Sequence, residues 1–322
     1  MSKFVVHHVA LDGQGGADHL SETDLPKKIP EAGCRWVHVD AGEDASRDWL
    51  ASVEGVADEV VEALFAEETR PRMVKMGRGT LVILRGVNLN PGSDPSDMVS
   101  LRLWVTPHFI VSSRRRKLLS VEDVVNSLAQ GEGPTDSADI LAILTVTLTG
   151  RMSSVIVDLE EELSDLEERI GEGIEQGQRE LLVQRRLETI RLRRFLVPQK
   201  EAVQALSQDT SSWMTSRQIT QVQEAVNDIV RYVEGLESLR ERCQLMQEEF
   251  VNLQAEKMNA RMYVLSILSG IFLPLGFLTG LFGINIAGMP GTDNHQAFWL
   301  FCGVLLVMGV GQFWLMRKSR WF

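Results

Sequence analysis

Two uninterrupted apolar runs dominate the C-terminal part of the chain. Between residues 262 and 282 the only ionisable side chain is the Tyr263 phenol, and residues 297–316 contain no Asp, Glu, Lys, Arg or His. About 21 residues at roughly 1.5 Å each cover a ~30 Å hydrocarbon core, so both runs are predicted to be transmembrane helices. A short polar stretch, 286–296, joins them. Upstream, apolar positions recur at Ile219, Val222, Val226, Ile229, Val233, Leu236, Leu239, Cys243, Met246, Phe250 and Leu253. These steps of three and four, with one irregularity at Leu239, form a heptad seam. No Pro or Gly pair interrupts it before the first apolar run, so a single helix of about 65 residues, roughly 100 Å long, is predicted from about Ser216. A rod with such a seam that continues into a span of small residues is suited to bundling with copies of itself.

The N-terminal part has a different period. Residues 4–11, 34–40, 80–88 and 99–112 are rich in Val, Ile, Leu and Trp with partial alternation, and read as strands bounded by Gly, Pro or Asp. Between them, 46–54, 57–67 and 119–130 read as helices, giving a mixed α/β unit. The Gly-Gln-Gly-Gly run at 13–16 lacks the following helix and acidic partner of a dinucleotide loop, and reads as a turn. The basic run 114–117 sits at a strand end and reads as solvated, with contact to an anion or lipid as the alternative. After Pro134 long helices take over. Residues 138–170 carry a densely acidic face (Glu160, Glu161, Glu162, Asp165, Glu167, Glu168), and a break at 171–177 leads to a basic helix, 179–194, reaching Pro198. An antiparallel hairpin whose charges pair across it is predicted. The acids form either a solvated face or a cation-attracting regulatory site.

The expected fold class is thus an α+β domain, a mixed α/β sandwich with long helices, followed by a stalk helix and two membrane spans. The divisions are 1–135 (α/β domain), 136–210 (helical hairpin), 211–261 (stalk), 262–285 and 297–316 (spans), 286–296 (outer loop) and 317–322 (basic tail). Lys257 and Arg261 precede the first span and Arg317, Lys318 and Arg320 follow the second, whereas the connecting loop has neither Lys nor Arg. The positive-inside bias therefore puts both ends in the cytoplasm. Trp299, Trp314 and Trp321 lie near the ends of the second span, where amphipathic rings prefer headgroups. No basic-then-apolar leader opens the chain, so no signal peptide is expected. The net charge of −11 disfavours nucleic acid as a partner and suits a protein that handles cations, although ordinary acidic surfaces share it. Cys34, Cys243 and Cys302 have no Cys-x-x-Cys spacing and read as small apolar residues rather than a thiolate zinc site. No nucleophile–base pair or nucleotide loop points to an enzyme, and no cofactor is expected.

The first span is unlike a simple anchor. Ser266, Ser269, Gly270, Gly276, Thr279, Gly280 and Gly283 fall within or just beyond it, and small residues allow helices to approach closely. Steps of three and four from Asn259 pass through Met262, Ser266, Ser269, Leu273, Gly276 and Gly280. That face mixes polar, small and soft side chains, which suits a pore wall or a tight packing face, and periodicity leaves both open. Pro274 removes one backbone bond, tolerable where neighbouring helices satisfy the freed carbonyl.

Asn259, the run 262–283, Ile284–Asn285 and the nearby Met289–Pro290 together resemble the CorA family of divalent-cation transporters, closely over about 257–290. The spacing from Asn259 to Asn285 is similar to that family's two pore asparagines. The signature reads Gly283-Ile284-Asn285 in place of Gly-Met-Asn, similar to the ZntB-like zinc-transporting branch, and Gly291-Thr292 replaces an acidic loop motif. The resemblance implies a homopentameric funnel in the inner (plasma) membrane, carrying Zn2+ with or without coupling to protons. Co2+, Ni2+, Cd2+ and Mg2+ are alternative ions, and the implied partners are copies of the chain, the lipid bilayer and the cations themselves. The implied ion path is Asn259, Met262, Ser266, Leu273, Gly276, Gly283, Ile284 and Asn285. Asn285 would hold a hydrated cation at the outer mouth through its water shell, and Asn259 would repeat this inside. Met262 and Leu273 would form apolar constrictions that gate by dewetting. Asp293 and His295 in the outer loop would form either a cation-concentrating ring or an ordinary polar surface. Two other functions stay open: a less selective Mg2+/Co2+/Ni2+ channel, and a membrane-tethered coiled-coil scaffold or sensor without flux.

Overall fold

A computed structural model describes residues 4–173, 177–209, 213–284 and 295–318. The chain divides into two compact units, Met1–Gln247 and Glu248–Phe322.

The first unit is organised on a seven-stranded sheet: β1 (Val5–Leu11), β2 (Ala17–His19), β3 (Cys34–Asp40), β4 (Arg72–Met76), β5 (Gly79–Gly86), β6 (Val99–Val105) and β7 (Phe109–Arg114). Their order is β2-β1-β3-β7-β6-β5-β4, and all pairs are antiparallel except β3 with β7. Side chains alternate between the two faces. Val37, Val39, Leu81, Ile83, Trp104, Phe109 and Val111 pack with α1 (Asp44–Ala51) and α2 (Asp58–Phe65) in one core. The alternate residues, among them Trp36, His38, Val82, Leu84, Leu103, Ile110 and Ser112, are equally buried on the other face. There lie α3 (Leu119–Gln130) and α4 (Ser137–Glu172); Gly86, for instance, leaves room for Leu148 of α4. A sheet covered on both faces explains why the strands read as near-continuous apolar runs.

The sequence reading needs correction at several points. The strand expected over 99–112 is two strands, because Thr106 folds the chain back: its N–H donates to Phe109 O (2.8 Å) and its hydroxyl accepts from Phe109 N (3.0 Å). The strands β2 and β4 were not expected. The Gly-rich run is a turn: the Asp12 carboxylate accepts from the N–H groups of Gln14 and Gly16, and Gly15 takes φ +103°. A Cβ on Gly15 would lie 2.7 Å from Gly131 O, so this close approach requires glycine. The basic run is not simply solvated. Arg114 and Lys117 reach Glu122 (3.2 and 3.7 Å), Arg115 donates to Phe65 O (3.4 Å) and Arg116 pairs with Asp97 (2.5 Å).

The basic helix does not stop at Pro198. α5 spans Gln178–Ser207 with Pro198 inside it. Gln199, buried, accepts from the Arg85 N–H (2.6 Å), pinning the helix to the sheet just past the proline. Across the hairpin Arg185 of α5 pairs with Glu162 of α4 (2.7 Å). Other charges go to α6 (Ser216–Phe282), where Arg193 pairs with Glu237 (2.5 Å) and Glu167 with Arg242 (2.5 Å). No group of three or more His, Cys, Asp or Glu is placed to hold a metal among the described residues.

The heptad seam is a further correction. Val222, Val226, Ile229, Leu236, Leu239, Cys243 and Met246 are already buried within the single chain. Over this stretch the seam is spent on the chain's own fold and does not face copies.

Candidate ion-conducting face

In the second unit the C-terminal part of α6 packs against α7 (Ala297–Lys318) as an antiparallel pair. A Cβ on Gly270 would lie 2.5 Å from Met316 Cε, one on Gly309 would lie 4.0 Å from Leu275 Cδ1, and the Phe282 and Phe301 rings are 5.0 Å apart. Between 262 and 282, Ile267, Gly270, Ile271, Pro274, Leu275 and Leu278 are the partly covered positions of α6.

The predicted ion-path positions lie elsewhere on the helix. With about 100° per residue, Asn259, Met262, Ser266, Leu273 and Gly276 fall within roughly 60° of one line, while Ile267, Ile271, Pro274 and Leu278 lie roughly opposite. Asn259, Met262, Ser266, Leu273 and Gly276 are all exposed, Leu273 by 73%. The helix pair thus leaves this face open. No atom lies within 4 Å of a Cβ built on Gly276 or Gly280, so neither glycine serves contact with α7. The small residue that does serve it is Gly270, which the spacing had grouped with Ser266.

Polar groups on this part of α6 are satisfied locally. The Ser266 hydroxyl donates to Met262 O (2.8 Å), and the Thr279 hydroxyl donates to Leu275 O (3.0 Å). Such back-bonding hides the hydroxyl donor yet leaves oxygen lone pairs facing outward. Neither Asp, Glu, Lys, Arg nor His occurs between 262 and 284, so this face would offer a cation oxygen dipoles and apolar carbon, not carboxylates.

The helix ends at Phe282. The Gly283 N–H donates to Thr279 O (2.9 Å), and a Cβ at this position would meet the same oxygen at 2.8 Å. Glycine serves close approach to the last turn here, not a left-handed backbone. Ile284 is exposed, as is His295. Asn285, Met289, Pro290 and Asp293, and the tail residues Arg320 and Trp321, lie outside the described residues. Trp299 is 74% exposed, and Lys318 Nζ sits 5.1 Å from the centroid of the Trp314 ring, an amphipathic end to α7.

Comparison with known proteins bears on what such a helix pair does. The family of CorA-like Mg2+ transporter proteins matches residues 31–318. The zinc transport protein ZntB of Pectobacterium atrosepticum is 37% identical over 316 residues, covering 98% of this chain and 95% of the relative. The divalent cation transporter CmaX of Pseudomonas aeruginosa is 36% identical over 327 residues, with 98% and 96% covered. The solved structure of full-length CmaX superposes with a TM-score of 0.85 at 33% identity, covering 100% of this chain and 99% of that one. The CorA magnesium transporter of Methanocaldococcus jannaschii shares the fold, with a TM-score of 0.82 at 18% identity over 98% and 99% of the two chains. Since these matches run through both the sheet unit and the apolar helix pair, the chain belongs to the CorA-like family of metal-ion transporters.

Proposed function

We propose that this protein carries divalent cations, zinc foremost, across the inner membrane through a homopentameric funnel with its N- and C-termini in the cytoplasm. The observation that carries the reading is the open face of α6. Its small, polar and soft positions turn away from α7 and stay uncovered in a single chain. One copy cannot enclose a path, so those positions face a shared axis only when several copies assemble. Zinc is favoured because a ZntB relative is 37% identical over 98% of this chain and because Gly283-Ile284-Asn285 stands where the family signature is sought. Along the axis Asn259 and Asn285 would bind the cation through its retained water, with Met262 and Leu273 as apolar constrictions between them.

The test is flux into liposomes holding an internal dye, Zn2+ against Mg2+, with and without an imposed pH gradient. Zinc entry that grows with external acid supports zinc transport with proton symport, and pH-indifferent zinc entry supports passive conduction. Gly276→Leu, at a position where a Cβ meets no atom within 4 Å, is expected to cut flux roughly tenfold, as is Asn285→Ala. Unchanged flux in both removes the assigned path. Magnesium entry with little zinc favours a second reading, for which the name of the matching family speaks: a Mg2+ channel of the same architecture. Absence of any divalent flux favours a membrane-tethered scaffold.

A further inference from the structure

Outside the membrane helices, one pocket gathers four arginines against two glutamates, an excess of positive charge. It has a volume of about 420 Å3 and lies where the segment after α2, the edge strand β4 with its neighbour β5, and α5 meet. Arg70, Arg72, Arg85 and Arg194 line it, with Phe195 and the two glutamates Glu67 and Glu68. Although both glutamates are at hand, none of these four arginines forms an ion pair among the described residues. Elsewhere in the same unit Arg114, Arg116, Arg151, Arg185, Arg191, Arg193 and Arg242 each hold a carboxylate within 3.2 Å.

Arg85 is rigidly placed. Its guanidinium donates to Met98 O and Thr69 O, both at 2.8 Å, and stacks 4.3 Å from the Phe195 centroid. Arg194 approaches the same ring at 5.7 Å. The Phe195 face is thus shared by two guanidiniums, neither of which forms an ion pair among the described residues. Behind them Arg102 is only 2% exposed, donates to Ala66 O (2.9 Å), and leaves Nε and Nη1 without a partner. Arg115 adds a third guanidinium beside the end of α2 through Phe65 O. Burial first, then the nearby Arg115 and Arg85, pushes the Arg102 pKa down to about 10. Arg102 and Arg115 hold carbonyls at the C-terminal end of α2, and Arg85 holds Thr69 O and Met98 O. These bonds leave out Arg70, Arg72 and Arg194, which line the pocket beside Glu67 and Glu68 without an ion pair to either among the described residues.

Unpaired guanidiniums around a partly desolvated pocket are what a multiply charged anion requires, because the planar fork matches phosphate oxygens in bidentate fashion. We propose that this pocket binds a small phosphate-chain anion, with Arg70, Arg72 and Arg194 on its oxygens and Arg85 as the fixed base. The volume exceeds what one orthophosphate fills, which is why a chain of phosphates is assigned. Inorganic polyphosphate and the phosphate tail of a nucleotide share this chemistry.

The test is calorimetric titration of the full chain in detergent micelles, metals chelated, with tripolyphosphate, ATP and adenosine as separate probes. Saturable binding of tripolyphosphate, weakening as salt rises, is expected. ATP binding as tightly as tripolyphosphate assigns the site to the phosphate chain alone, and tighter ATP binding adds the nucleoside; both uphold the proposal. Arg70 and Arg194 are exposed and unpaired, so Arg70→Gln with Arg194→Gln should leave the unfolding temperature unchanged while weakening tripolyphosphate roughly tenfold or more. Arg70→Lys with Arg194→Lys keeps the charge, loses the fork, and should weaken it by less. No binding of tripolyphosphate at millimolar concentration, equal binding by the wild type and the Gln pair, or binding of adenosine without tripolyphosphate overturns the proposal. None of these readouts depends on ion flux.

Discussion

Acid should weaken the sheet unit, and His38 is the residue through which the effect can be isolated. The side chain is fully buried between β1 and β7. Its Nδ1 lies 2.7 Å from Ser112 Oγ, which also accepts the Trp36 indole N–H at 2.7 Å, while its Nε2 has no partner. The His7 ring stacks on it at 6.0 Å, and Arg114 and Glu122 are the charged groups on that side. Burial, then Arg114, then His7, lowers the His38 pKa well below 6.5. The folded chain therefore refuses a proton that the unfolded chain accepts near 6.5, and stability is full above that pH and falls below it. If folded His38 stays neutral, linkage gives RT ln(1 + 10^(6.5−pH)): about 0.1 kcal/mol lost at pH 7.5 and about 1.4 kcal/mol at pH 5.5. His7 and His8 are lowered as well, chiefly by burial, and steepen the slope. Urea unfolding followed by tryptophan fluorescence, in wild type and His38→Gln at both pH values, cancels the other groups. The stability gap between the two should shift by about 1.4 kcal/mol in favour of the variant on going to pH 5.5. A gap independent of pH, or one that moves the other way, refutes the reasoning.

Three further outcomes follow from packing and burial. Gly86→Ala would put a Cβ 2.5 Å from Leu148 Cδ2 and 3.1 Å from Leu118 Cδ2, so a loss of about 1–3 kcal/mol in urea unfolding is expected, reduced when Leu148→Ala is added. Gln218 at the start of α6 is buried and donates to Asp136 Oδ1 (3.1 Å) and Asp139 Oδ1 (3.0 Å) at the start of α4. Gln218→Ala leaves these carboxylates short of a donor and should cost about 1–3 kcal/mol by the same measurement. Burial pushes the Cys34 thiol up to about 12 and raises that of Cys243, so iodoacetamide at pH 8 should leave both unmodified in the native chain and label them in urea, read by mass spectrometry.

Much of this architecture was legible because long-period patterns survive tertiary context. The bounds of β3 and α3 coincide with the predicted ranges, and α6 starts at Ser216 as the seam required. What failed had local or non-local causes. Thr106-Pro107-His108 turns the chain within three residues, too briefly to break the apolar run around it. β4 reads Arg-Met-Val-Lys-Met because it is an edge strand with one row of groups toward water, so no apolar alternation marks it. Arg102 stands amid Leu101, Leu103 and Trp104, and alternation sends such a residue to solvent; only the layer of α2 over that face makes it buried. The candidate site was half legible. Spacing found the face of small and polar residues, yet periodicity could not say whether a neighbouring helix covered it. The seam failed for the same reason, since heptads declare an apolar stripe without naming its partner.

Among the described residues three helices are long and apolar enough to cross a membrane: α4, α6 and α7. Composition does not separate them, but covering does. Half of the apolar window of α4 is buried inside the fold, under the sheet, whereas none of the corresponding windows of α6 and α7 is. Apolar surface left in water costs roughly 25 cal/mol per Å2, so two helices bearing Leu265, Phe272, Leu273 and Phe277 (α6) and Trp299, Leu300 and Leu306 (α7) in the open demand another solvent or another chain. Lipid satisfies the large side chains, which lie all around α7 and on much of α6. It gives no reason for Gly276 and Gly280, since a glycine facing acyl chains gains nothing from lacking a Cβ and weakens its helix by about 1 kcal/mol relative to alanine. Their open space in the single chain is therefore best filled by something that needs close approach, either a neighbouring copy of the helix or the water and ions of a shared path. Both require assembly, so the composition of this one face argues for an oligomer independently of the seam, which the fold has already used.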